Sequence, residues 1–128
     1  LLRDGSDVTL IASGVCVANA LQAAETLAQE GVSARVLNIH TIKPIDADAV
    51  IKAASETGAL VTAENHNVIG GLGRAVAEVL AEQRPTPLER VGVKDHFGQV
   101  GKAPYLMGVF GITAADIAKA ARKAIARK

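Results

Sequence analysis

Four short runs of aliphatic and β-branched residues, separated by stretches with helical spacing, constrain this chain most. Val8-Thr9-Leu10-Ile11-Ala12, Arg35-Val36-Leu37-Asn38-Ile39, Ala59-Leu60-Val61-Thr62-Ala63 and Leu88 to Val93 are largely apolar on both faces. Strands of that kind need cover on both sides, which a parallel sheet between helical layers supplies. Between them, Val17, Leu21, Ala24 and Ala28 fall on one stripe of a helix that ends before Gly31. Asp46 is placed to N-cap a second helix through Val50, Ile51 and Ala54, with Gly58 as its stop. Leu72, Val76, Val79 and Leu80 stripe a third, which must end before Pro85. Thr113-Ala114-Ala115-Asp116 reads as a capping box opening a fourth, with Ile117, Ala121, Ala124 and Ile125 on one face. The order β-α-β-α-β-α-β, a long irregular stretch over 94–112, then α predicts an α/β layered sheet with right-handed crossovers. A loop of that length in a compact domain is usually functional or wraps a partner.

Composition narrows the function classes. The chain has 128 residues, a length that fits one domain spanning 1–128. A chain of this size buries about two thirds of its unfolded surface and needs no staple to fold. A hydrophobic fraction of 49% with 21% charged residues excludes a disordered tail or a collagen-like chain. No 18-residue stretch is free of charges and strong polar groups, which excludes a helical membrane span. A net charge of +1, and Phe97, Tyr105 and Phe110 as the only aromatics, argue against nucleic acid as the main partner. Five of the last ten residues are Lys or Arg, which suits the negative end of a helix dipole and a solvated outer face. Cys16 is alone, so an intrachain disulfide is excluded and a cytoplasmic setting is expected. The chain begins at Leu1, and Met107 is its only methionine; the expectation is a processed start or a piece of a longer protein.

In a parallel sheet, ligands bind beyond the carboxyl ends of the strands. Those ends run into Ser13-Gly14, His40-Thr41, Glu64-Asn65-His66-Asn67 and Asp95-His96. All three histidines and two carboxylates therefore fall on one edge. They could serve proton transfer or metal ligation, but the caps and turns that any strand end needs are the preferred reading. No HExxH, CxxC or EF-hand spacing points to a metal, and no GxSxG to an acyl-transfer nucleophile. Cys16, near a helix start, reads as a small buried hydrophobe. Gly70-Gly71-Leu72-Gly73 follows a strand and opens a helix, a context suited to a phosphate cradle with Arg74 assisting. The pattern departs from GxGxxG by Val76 at its last position and follows the third strand, so the close approach of a helix start to the sheet edge is the preferred reading. Glu64, His66, Gly70, Gly71, Gly73, Arg74, Asp95 and His96 are thus the candidate anion-binding or interface edge. Tyr105, Leu106, Met107, Val109 and Phe110 look like a docking surface or a cover for the chain's own core.

Four segments carry a family resemblance. Thr62-Ala63-Glu64-Asn65-His66-Asn67-Val68-Ile69-Gly70-Gly71-Leu72-Gly73 resembles the hallmark segment of the C-terminal domain of transketolase-like enzymes. Asn38-Ile39-His40-Thr41-Ile42-Lys43-Pro44-Ile45-Asp46 is similar to its second-strand motif. Arg90-Val91-Gly92-Val93-Lys94-Asp95-His96-Phe97-Gly98-Gln99-Val100-Gly101 is similar to its fourth-strand motif, with Val100 where many full-length transketolases carry Ser. Leu2 to Gly14 fits the domain's start. The match looks closest to split transketolases, whose N- and C-terminal sections are separate chains; deoxyxylulose-phosphate synthase and the β subunits of 2-oxo acid dehydrogenase E1 enzymes share the superfamily. The resemblance implies a three-layer α/β/α fold on a mostly parallel five-stranded sheet whose first strand is antiparallel. It implies an enzyme of pentose phosphate metabolism that moves a two-carbon ketol unit between sugar phosphates. It further implies that thiamine diphosphate and Mg²⁺ bind in upstream pyrophosphate- and pyrimidine-binding domains, or in an N-terminal transketolase section. The Gly-Asp-Gly…Asn motif that holds them is missing from this chain, so no catalytic, cofactor-binding or metal residue carries over. A homodimer or heterotetramer is expected, and the 128 residues alone are expected to be inactive. A self-standing module for an anion or nucleotide remains the alternative from a different class.

Overall fold

The structure, a computed structural model, describes all 128 residues. The elements are β1 (Val8–Ala12), α1 (Cys16–Gln29), β2 (Ala34–Asn38), α2 (Ala47–Thr57), β3 (Leu60–Asn67), α3 (Leu72–Gln83), β4 (Leu88–Val93), α4 (Ala103–Phe110) and α5 (Ala114–Ile125). The strands form one parallel sheet in the order β2-β1-β3-β4, with Leu10 opposite Val36 and Val61, and Val61 opposite Glu89.

Strand alternation divides the apolar runs between two cores. Val8, Leu10 and Ala12 join Val36, Val61, Ala63 and Val91 in a cluster under α1 and α5 that includes Ala20, Leu27 and Ile117. Ile11, Leu37 and Leu60 face the other way, against Val50, Leu72, Val76 and Leu80 of α2 and α3. Alanine supplies much of the first core, so the helices lie close on the sheet. The crossover from β1 moves one way across the sheet and uses one face. Those from β2 and β3 move the other way and use the opposite face, as a single hand of crossover requires. The three-layer α/β/α architecture follows.

The caps act as the spacing predicts. The Asp46 carboxylate accepts from the Ala49 N–H, and Gly58 ends α2 in the left-handed region. Thr113 and Asp116 form a reciprocal capping box on α5.

Three features depart from expectation. The sheet has four strands and not five. Where the antiparallel first strand was implied, Arg3 makes one antiparallel bridge with Val36, too short to count as a strand. The stretch over 94–112 is not irregular throughout: it contains α4, with Pro104 in the first turn and Gly111 as its stop. Finally, β3 runs on to Asn67, so Glu64 lies inside the strand. The register with β4 shifts between Ala63 and Asn67, and this bulge re-aims the strand end.

Candidate functional site at the carboxyl edge of the sheet

The chain leaves β1 toward β2 and later returns past β1 to β3, so a crevice opens between the carboxyl ends of β1 and β3. Gly14 closes one side, with the Asn65 Oδ1 atom 3.4 Å from where a Cβ on Gly14 would stand.

Behind this crevice lies Glu64, only 2% exposed. One carboxylate oxygen accepts the Leu72 N–H at 2.7 Å and the other accepts the Gly73 N–H at 2.9 Å. The first N–H groups of a helix are free donors at the positive end of its dipole and attract an anion. On α3 that anion is the chain's own carboxylate. Gly71 has no room for a side chain, since a Cβ there would stand 1.9 Å from Glu64 Oε2. Gly73 is held against the sheet by Thr62 Oγ1 and Arg90 Cδ, each 2.9 Å from an added Cβ. The glycine cluster therefore serves the close approach of helix to strand. Gly70 differs: its surroundings are open, and its φ of 85° is what calls for glycine.

The other candidates scatter around the edge. Arg74 Nε donates to Glu78 Oε1 at 2.9 Å, one turn along α3. His66 is exposed and its Nδ1 donates to the Asn67 carbonyl at 2.9 Å. His40 pairs with the neighbouring Thr41 hydroxyl. Asp95, with φ 51°, and His96 are exposed after β4. No three His, Cys, Asp or Glu side chains come together as a set that could hold a metal ion. Cys16 is fully buried; burial pushes its thiol up from the ordinary range, and the negative charge of Glu64 adds to that.

The residue-by-residue reading marked the apolar residues of α4 and missed those of the loops. Val15, Ile42 and Ile69 are exposed in the loops after β1, β2 and β3, and Phe97 and Val100 are wholly exposed after β4. The apolar helix α4 buries no residue: Tyr105 and Val109 are exposed, and Leu106, Met107 and Phe110 half-buried. The Asn19 side chain, donating to the Ile112 carbonyl at 2.9 Å, fixes the end of this segment to α1. Each loop contributes only one or two such residues, so no run marks them in the sequence. They gather because parallel strands bring their carboxyl ends to the same edge.

The profile of the family described as "Transketolase, C-terminal domain" matches residues 1–117. The chain belongs to the transketolase C-terminal domain family. It is 57% identical over 128 residues to a 6-deoxy-6-sulfo-D-fructose transketolase subunit of Clostridium sp. (strain MSTE9), covering all of this chain and 40% of the relative. It is 42% identical over 130 residues to 1-deoxy-D-xylulose-5-phosphate synthase 1 of Geobacter sulfurreducens (strain ATCC 51573 / DSM 12127 / PCA), covering all of this chain and 20% of the relative. Among solved structures, a split-gene transketolase described as an inactive β4 tetramer superimposes with a TM-score of 0.95 at 48% identity, over 98% of this chain and 41% of that one. The chain thus spans two fifths or less of the length of these relatives. As a transketolase C-terminal domain it has the α/β layers of its structural neighbour. No helix in it is long and apolar enough to cross a membrane.

Proposed function

We propose that residues 1–128 form the C-terminal domain of a thiamine-diphosphate-dependent transketolase-type enzyme, bracing its upstream domains and carrying none of the reacting groups. The single observation that supports this reading best is the apolar edge, to which the loops after all four strands contribute, in a chain that matches less than half of each relative. Apolar residues gathered on one edge are the mark of a covered surface. His66, Gly70, Arg74, Asp95 and His96 then sit on or beside the docking edge, while Glu64, Gly71 and Gly73 hold its shape. The cover would be the pyrimidine- and pyrophosphate-binding domains or a separate N-terminal section, within a homodimer or heterotetramer.

The residues here do not fit the cofactor's diphosphate and its divalent cation. The N–H groups at the glycine-flanked start of α3 are taken by Glu64, and no set of metal-ligating side chains converges. Thiamine diphosphate and Mg²⁺ therefore belong to the upstream domains in this reading. The transfer would move a two-carbon ketol unit between sugar phosphates in cytoplasmic pentose phosphate metabolism. The relative named for 6-deoxy-6-sulfo-D-fructose adds a sulfonated ketose to the donors worth assaying.

The test is a ketol-transfer assay with thiamine diphosphate and Mg²⁺, using sugar phosphates and 6-deoxy-6-sulfo-D-fructose as donors. The 128-residue chain alone is expected to give no turnover, and to support it once the upstream domains are supplied. Turnover by the chain alone would overturn the assignment. The 42% identity to a 1-deoxy-D-xylulose-5-phosphate synthase favours a second reading, the same bracing role in an enzyme of that type. Formation of 1-deoxy-D-xylulose 5-phosphate by the reconstituted enzyme, with no ketol transfer, would select it.

A further inference from the structure

A groove of about 610 Å³ runs between β4 and the α4–α5 corner, away from the glycine-rich start of α3. Its volume is in the range of small-molecule sites, roughly 300–1,000 Å³. Val91, Phe110 and Ala120 give it an apolar floor, and Lys94, His96 and Lys119 stand along its walls.

The charge balance within the groove is one-sided. Two carboxylates line it, and both are engaged. Glu89 is bridged by Lys123 at 2.9 Å and by Arg127 from α5. Asp116 accepts the Thr113 N–H at 3.0 Å and its hydroxyl as part of the capping box. Lys94 and Lys119 have no acidic partner within salt-bridge distance. Two ammonium groups left uncompensated beside a partly apolar wall suit a compact dianion on a small organic body.

We propose that this groove binds a phosphate monoester, its phosphoryl group held by Lys94 and Lys119 with His96 at its side and its carbon skeleton on Val91 and Phe110. The groove shares His96 and Phe110 with the docking edge but not the start of α3, and its binding is a property of this chain alone. Reconstitution with upstream domains plays no part in its test.

The experiment is an NMR titration of the 128-residue chain at constant ionic strength. The probes are inorganic phosphate and glycerol 3-phosphate, with chloride as the control anion. Saturable shifts at the amides of β4 and α5 and at the His96 ring are expected. A tighter Kd for glycerol 3-phosphate than for inorganic phosphate is expected; equal constants would show that the carbon skeleton adds nothing and overturn the assignment to an ester. The Lys94→Gln/Lys119→Gln double variant should weaken binding by about tenfold or more, as loss of two charge-assisted contacts implies. Arg74→Gln, on the other helical layer, should leave binding unchanged. Chemical shifts elsewhere in the double variant report that the fold is kept. Absence of saturable shifts at tens of millimolar probe, or binding indifferent to the double variant, overturns the proposal. So does binding of an acidic peptide at these residues when neither phosphate probe binds.

Discussion

Glu64 is a carboxylate on the face of β3 where alternation with Leu60 and Thr62 points into the α2–α3 layer. Its burial is sustained because both oxygens meet N–H donors of α3. Glu64→Ala leaves those two donors in a dry site, and an unsatisfied buried donor costs about 1–3 kcal/mol. Glu64→Gln keeps one good acceptor and should fall between. Urea unfolding should rank stability as parent, then Gln, then Ala; an Ala variant as stable as the parent would remove Glu64 from the folding account. The glycines divide by mechanism. Gly71→Ala drives a methyl into Glu64 and should cost more than Gly70→Ala, which meets open space and costs about 1 kcal/mol for its left-handed backbone. Cys16 should be inert to a thiol reagent in the folded chain, because burial and the nearby Glu64 charge both disfavour its thiolate. Labelling near pH 8 should proceed only as fast as the chain opens. A rapid reaction without denaturant would contradict its placement.

At the scale of elements, α5 is tied to the edge strand by Glu89, whose side chain is 15% exposed and meets both Lys123 and Arg127. Burial works to raise the Glu89 carboxyl, but hydrogen bonds and charge from the two cations bring it below the usual carboxylate range. A carboxyl lowered by folding contributes stability that is complete above its ordinary, unfolded pKa and lost as the pH falls through the lower folded value. Urea midpoints from pH 7 down to 3 should therefore fall more steeply for the parent than for Glu89→Gln. Parallel curves would show that this tie contributes nothing. At the other end of α5, Thr113→Ala removes the cap and should cost about 1 kcal/mol.

Four helices were legible from the sequence because each has a buried and a solvated side, a contrast that periodicity records, and four strands because runs apolar on both faces mark a sheet covered on both sides. The helix α4 was not legible. Ala-Pro-Tyr-Leu-Met-Gly-Val-Phe has no charged position to mark a solvated face, and the helix has no fully buried residue, only Leu106, Met107 and Phe110 half-covered. The role of Glu64 was hidden for a related reason. A charge after an apolar run reads as the end of a strand, whereas the bulge carries β3 on and the partner lies eight residues away in a helix that has yet to start. The glycines, by contrast, were legible as a close approach, one of the two readings their position allows.

At the scale of the whole molecule, the two cores are closed and the carboxyl edge is not. Phe97 and Val100 are wholly exposed and Tyr105 largely so; they contribute little to this chain's own stability. Replacing all three by serine should leave the thermal midpoint of the isolated chain close to that of the parent. The same triple variant should weaken association with the upstream domains by about tenfold or more, since buried aromatic anchors carry most of an interface's energy. Raising the salt concentration should change that association little, because apolar contacts are not screened as surface charges are. Calorimetry of the isolated chain and a sedimentation or pull-down assay with the upstream domains separate the outcomes. A midpoint lowered by many degrees would place these residues in the chain's own core. An undiminished association with an unchanged midpoint would move the docking surface to another face.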